Sequence, residues 1–288
     1  MIPFLKYSKL YAAISLIALA IGTYSVITFG FRYSVEFIGG SDLRYKANPP
    51  ISAELVRSVL EKQEIEGATV SVSNGIVDIR TPPLSEIQER DLRNALSKEA
   101  NTKIEVLRSE TVGPTMSQDA VRKTVIASGL GVLGILLYVA YAFRNFTFAI
   151  AAVIALFHDV LILIGSYSLL SRFFGAELDT LFVTATLTTM SFSVHDTIVM
   201  YDQLRFYIRK HGTREVGIFA NIAITETIVR SLNNSLTIIF MLLALALLGG
   251  ETIRFFAISL LIGTIVGTYS SPFVSMPIAV WLIQRKHS

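Results

Sequence analysis

The chain has 288 residues, 52% of them hydrophobic and 16% charged, which excludes an ordinary soluble domain; it is also too long for a single membrane anchor. Its net charge is only +3, and with no Cys it makes no disulfides. This is the composition of a polytopic membrane protein.

Windows of about 20 residues with few charges predict six spans: Leu10 to Phe31, Val125 to Phe143, Phe146 to Leu170, Leu181 to Tyr201, Leu232 to Leu248 and Phe255 to Ile283. The first has Lys6 and Lys9 ahead of it but is longer than the apolar core of a cleaved signal, and no small-residue cleavage site follows. It reads as an anchor. Lys6, Lys9 and Arg144, then Arg205, Arg209, Lys210, Arg214 and Arg230, then Arg285 and Lys286, fall on one side of the membrane; Arg172 and Arg254 fall on the other. That bias places both termini in the cytoplasm and the long segment after the first span outside. Topology therefore accounts for the basic residues, and nucleic acid is not an expected partner.

The reading divides the chain into residues 1–31 (N-terminus and first span), 32–123 (extracytoplasmic domain), 124–203 (spans two to four), 204–231 (a basic cytoplasmic loop) and 232–288 (spans five and six and a cytoplasmic C-terminus). In the outer segment, Ser41 to Lys46 alternates like a strand and Ser52 to Ile65 has helical spacing. Ala68 to Ser73 and Ile76 to Arg80 are strands joined at Asn74-Gly75, a strong hairpin signal. Ser85-x-x-Gln88 has the form of a capping box, and Lys103 to Arg108 reads as a last strand. The order β-α-β-β-α-β is that of a ferredoxin-like α+β domain. No catalytic motif or metal-ligand cluster stands out, so no cofactor is expected and a binding or mechanical role is preferred to an enzymatic one.

Polar residues gather on three of the spans. The third carries His158-Asp159; the fourth carries Thr184, Thr186, Thr188, Thr189, Ser191, Ser193, His195 and Asp196; the fifth opens with Arg230-Ser231-Leu232-Asn233-Asn234-Ser235. An ionised Asp at the centre of a membrane helix costs roughly 2.5 to 3.5 kcal/mol, and such residues usually face a bundle interior and serve ion movement. Asp196 is therefore the leading functional candidate, with Arg230 as its natural cation and Asp159 presented to the same interior. Desolvation and a nearby cation act on a buried carboxylate in opposite directions, which can poise it to bind and release a proton. His158 and His195 read first as helix-packing residues, Asp202 as a surface carboxylate, and Arg230 equally as a headgroup anchor. Gly129, Gly131, Gly134, Gly263 and Gly267 suit close helix contact. Pro272 and Pro277 predict a kink in the last span, with Ser270, Ser271 and Ser275 available to the freed carbonyls.

Ser193 to Arg205 resembles the fourth-helix signature of the SecF family, the smaller subunit of the bacterial SecD–SecF export complex. Phe37-Ile38-Gly39-Gly40, Val112-Gly113-Pro114, His158-Asp159-Val160, Arg230-Ser231-Leu232 and Gly263 to Pro272 resemble further family motifs in the same order. Departures are Glu36 for Asp, Ile38 for Thr, His195 for Asn, Gln203 for Arg, Phe206-Tyr207 for Glu-Asn, and Asn233 near an expected Thr. The resemblance implies half of a resistance-nodulation-division-type transporter: an all-α six-helix bundle with the inserted outer domain, in the bacterial inner membrane. Its implied partners are SecD, the SecY translocon and the translocating polypeptide. It also implies that the proton motive force is used, with Asp196 as proton carrier, Arg230 as its reset partner, Asp159 supporting, and His195, His158 and Asn233 as possible auxiliaries. The rivals are a structural assembly factor without ion flux, half of another proton-coupled transporter, and an intramembrane aspartyl protease, whose Gly-x-Gly-Asp is missing before Asp196.

Overall fold

The computed structural model describes residues 3–143 and 145–287; Arg144, one of the basic residues above, lies outside them. In chain order the elements are α1 (Ser8–Phe29), α2 (Val35–Ile38), β1 (Gly40–Asn48), α3 (Ala53–Lys62), β2 (Thr69–Ser73), β3 (Ile76–Thr81), α4 (Glu86–Glu99) and β4 (Lys103–Val112). They are followed by α5 (Pro114–Phe143), α6 (Phe146–Phe174), α7 (Thr180–His211), α8 (Val216–Leu248), α9 (Glu251–Ser270) and α10 (Met276–His287). The chain forms two compact units, residues 33–125 and residues 1–32 with 126–288.

In the smaller unit the strands form one antiparallel sheet in the order β2-β3-β1-β4, with α3 and α4 as its crossover helices. Alternation sends Leu43, Tyr45, Ala47, Val77 and Ile79 to one face, where Val56, Val59, Leu60, Leu92 and Leu96 of the helices cover them. Asn74 and Gly75 both have positive φ, the geometry of a two-residue hairpin turn, and Ser85 and Gln88 cap α4 reciprocally. The opposite face carries ion pairs, with Asp42 3.8 Å from Arg80 and 3.5 Å from Arg108. Gly40 leads the chain into β1 at φ 119°, and a Cβ there would lie 2.7 Å from the Thr81 carbonyl oxygen. Only glycine fits that entry.

In the larger unit, small residues let helices approach closely. A Cβ on Gly165 of α6 would lie 2.4 Å from the Gly22 Cα of α1, and beside this crossing the Ser25 hydroxyl donates to Ser168 Oγ at 2.9 Å. On α9, a Cβ at Gly263 would meet Thr189 of α7 at 2.1 Å and one at Gly267 would meet Ser193 at 3.1 Å. A Gly-x-x-x-Gly face thus packs directly on α7. Phe143 and Phe148 enclose Tyr201, which is fully buried.

Three features differ from the sequence reading. Helix α5 begins at Pro114 rather than Val125, carrying polar residues such as Gln118 and Arg122 as regular helix. The basic loop 204–231 is mostly helical, because Leu204, Val216, Phe219, Ala220 and Ala223 continue the buried stripe of the core; Gly212, at φ +80°, ends α7, and the loop shrinks to 212–215. Gly129 and Gly134 have no atom within 4 Å of a built Cβ, so of that trio Gly131 alone makes a contact, with Leu187. Among the described residues five helices are long and apolar enough to cross a membrane; α7, which holds Leu181 to Tyr201, is long enough but more polar. The last span is broken between α9 and α10 by a π-helical turn, Ser271–Ser275, that contains Pro272.

Candidate functional site

Much of the polarity of α7 is spent on its own backbone. Thr184, Thr186 and Thr188 each donate to the carbonyl four residues earlier, and Thr189 to the carbonyl three earlier. A threonine count therefore overstates how much polar lining the helix offers. What remains are the residues that bond outside the helix: Ser193, Asp196, Thr197 and Tyr201 along its middle, and Gln203 and Tyr207 toward its end.

Ser193, Thr197 and Tyr201 recur every four residues and so form one stripe. Each is tied to the broken sixth segment: Thr197 Oγ1 lies 2.9 Å from Ser271 Oγ, and Tyr201 donates to the Ser275 carbonyl at 3.0 Å and lies 2.5 Å from its hydroxyl. Ser193 reaches it through Asp159. The Asp159 carboxylate, 7% exposed, accepts from Ser193 Oγ of α7 at 2.5 Å and from Ser270 Oγ of α9 at 2.7 Å, while its other oxygen lies 2.8 Å from His158 Nδ1. The Tyr269 hydroxyl lies 3.4 Å from His158 Nε2. Asp159 is thus the meeting point of three helices, with each of its oxygens engaged. Of the three kink serines, Ser270 and Ser271 also donate to the Gly267 carbonyl.

Asp196 follows Ser193 by three residues, is half-buried, and accepts from Ser231 Oγ of α8 at 2.7 Å. Two crevices flank this bond along the α7–α8 seam. One is lined by His195, Asp196, Asn234, Ser235, Gly267 and Thr268, with Thr268 donating to Ser235 at 2.7 Å. The other, toward the end of α7 that bears Arg205 and Arg209, is lined by Val199, Asp202, Gln203, Glu226, Thr227 and Arg230.

The geometry separates residues that the sequence had grouped. Asp159 and Asp196 share no bonding partner: Asp159 is held by His158, Ser193 and Ser270, and Asp196 by Ser231. Arg230 is exposed and faces Asp202 and Glu226, and no ion pair joins it to Asp196 among the described residues. Asn233 is exposed and lines neither crevice, whereas its neighbour Asn234 does. His195 lines the Asp196 crevice, and His158 bonds Asp159. Ser231, Ser235, Ser193 and Ser270 escaped notice as site residues. Their signal was spacing: Thr227, Ser231 and Ser235 are polar, buried and four apart on α8.

A family model described as "Protein export membrane protein SecD/SecF, C-terminal" matches residues 93–285. A protein translocase subunit SecF of Thermobaculum terrenum is 37% identical over 98% of this chain and 94% of its own length. A protein translocase subunit SecDF of Thermus thermophilus is 35% identical over 96% of this chain, which spans 37% of that longer protein. The crystal structure of the Thermus SecDF, described as a translocon-associated membrane protein, superposes with a TM-score of 0.84 at 33% identity, covering 99% of this chain and 38% of that one. A SecDF crystal structure in a super-membrane-facing form gives a TM-score of 0.66 over 99% of this chain.

Proposed function

We propose a function from one premise: the chain belongs to the SecD/SecF family of protein-export membrane proteins. It is a multi-pass membrane protein and an accessory subunit of the Sec export machinery. Its working partner is SecD, which relatives carry fused to the equivalent of this chain. SecY and the translocating polypeptide complete the assembly in this reading. The smaller unit is a ferredoxin-like outer domain inserted between the first two of six spans, with α7 counted as the fourth despite its polarity. The membrane is the bacterial inner membrane, with both termini in the cytoplasm.

The subunit uses the proton motive force. Asp196 carries the proton, Arg230 resets it and Asp159 holds the surrounding helices in register. The observation that carries this reading is the Asp196–Ser231 bond, which holds a carboxylate between two membrane helices with a crevice on either side. A protonated Asp196 rests on Ser231 while Arg230 stays in the inner crevice; an ionised Asp196 draws Arg230 across, which repacks α7 against α8. Each charge crossing the potential yields about 2.3 kcal/mol per 100 mV, enough to shift a two-state helix packing.

The test is export of a secreted reporter, with and without membrane potential, in cells carrying wild type or Asp196→Asn at equal abundance and equal co-purification with SecD. An amide keeps the Ser231 bond and loses only the titration. The potential-dependent part of export should vanish; if it persists, the carboxylate is structural and the subunit is an assembly factor.

A further inference from the structure

The inner crevice contains a carboxylate that the mechanism above does not use. Glu226 of α8 is bonded by two donors from the neighbouring helix: Gln203 donates its amide to one carboxylate oxygen, and the Tyr207 hydroxyl donates to the other at 2.8 Å. Tyr207 is itself braced by stacking on Phe219 and His211. An ordinary exposed glutamate is held by water alone; this one is oriented as an acceptor. Gln203 supplies an amide where a cation would have cancelled the charge. The titratable and charged groups around Glu226 are Asp202 and Tyr207 from α7 and Arg230 from its own helix. Bonding to the carboxylate pushes the Tyr207 phenol up, so it stays a donor.

The placement along the seam is equally specific. Glu226 precedes Ser231 by five residues, about 7.5 Å of helix rise, and Gln203 follows Asp196 by seven, about 10.5 Å. The crevice that holds Glu226 is lined by Asp202, Gln203, Thr227 and Arg230, side chains able to hold water, on the same α7–α8 seam as Asp196.

We propose that Glu226 is the proton-release group on the cytoplasmic side of Asp196, and that Arg230 exchanges places with the transferred proton. The O–H bond of the Asp196 carboxyl breaks and one forms on Glu226, so the negative charge moves from Glu226 to Asp196. The Arg230 guanidinium follows that charge out of the crevice and onto Asp196. Glu226 then releases its proton to the cytoplasm, and Arg230 returns when Asp196 is protonated again from the outer crevice. The local charge is conserved in the transfer step, which spares the seam an isolated buried ion.

The inference rests on the proton-carrier reading of Asp196, and the experiment separates the two. The subunit is reconstituted with SecD in liposomes that trap a pH-sensitive dye, and inward proton flux under a potential is followed as a function of internal pH. Asp196→Asn should abolish flux. Glu226→Gln, which keeps an acceptor oxygen for one of the two donors and cannot take up the proton, should slow it at least about a hundredfold, the low end for a lost proton-transfer group. Tyr207→Phe removes one donor from the carboxylate without touching any charge, and should move the internal-pH midpoint of flux upward. If Asp196→Asn stops flux while Glu226→Gln conducts like wild type, the release role is wrong and the carrier stands. If Asp196→Asn conducts, both are wrong. Should the Gln variant fail to assemble with SecD, an unmoved midpoint in Tyr207→Phe overturns the role of Glu226.

Discussion

Gly165→Ala is a one-methyl test of the α1–α6 crossing. The new Cβ would lie 2.4 Å from the Gly22 Cα, against an optimal carbon separation of about 3.5 to 4.0 Å, so the helices must part by more than about 1 Å. No rotamer relieves a clash between a Cβ and a backbone. Overpacking of this kind costs about 1 to 3 kcal/mol, and separation weakens the Ser25–Ser168 bond, about 0.6 kcal/mol in a membrane setting, for a total of about 2 to 4 kcal/mol. Gly217→Ala is the matched control: its Cβ would meet only Leu5 Cδ1 at 3.9 Å, and the better helix former should gain up to about 1 kcal/mol. Thermal denaturation of each variant in complex with SecD, read by loss of the monodisperse peak, should place Gly165→Ala well below wild type and Gly217→Ala at or above it. Equal melting of the two variants would refute the claim that backbone contact holds this pair.

Ser231→Ala removes the donor to Asp196 and should reduce potential-dependent export about tenfold, the worth of a hydrogen bond to an ionisable group, with Ser231→Thr restoring most of it. Tyr201→Phe strips the hydroxyl from the Ser275 carbonyl and side chain in a fully buried site, so it should lower stability by about 1 to 2 kcal/mol and raise hydrogen exchange in the π-helical turn. Ser85→Ala breaks the capping box of α4 at a cost of about 1 kcal/mol, seen as faster amide exchange over residues 86–89 of the full chain. Lys62 bonds Glu99 and holds its carboxyl below the usual range. A depressed folded pKa stabilises above the unfolded value, near about 4.3, and that contribution is lost as pH falls through the folded value. Lys62→Met should therefore return the Glu99 titration, followed by NMR, toward the ordinary range.

The units of structure that obey a short period were legible from the sequence. The alternation in Ser41 to Lys46, the Asn74-Gly75 turn and the Ser85-x-x-Gln88 box each depend on neighbours within four residues, and each has its expected local form. Helix ends at the basic loop were not legible, because Arg205 to Arg214 reads as solvated charge while Leu204 and Phe219 continue a buried stripe on its other face. The carboxylates Asp159 and Asp196 stood out because charge in an apolar run is costly. Their partners did not, since a serine is cheap in a helix and its bond to a distant carboxylate depends on helix rotation, which no single-helix pattern encodes. The glycines divide in the same way: Gly263 and Gly267 form a recognisable pair, whereas Gly22 and Gly165 are isolated in sequence and meet only in the fold.

The central claim is that Asp196 gains and loses a proton as the subunit works. Infrared difference spectroscopy on the reconstituted complex with SecD, recorded with and without an imposed potential, detects that change as the carbonyl stretch of a protonated carboxyl. The account predicts a band that appears and disappears with the potential in wild type and is absent in Asp196→Asn; an identical difference spectrum in the two proteins would contradict it.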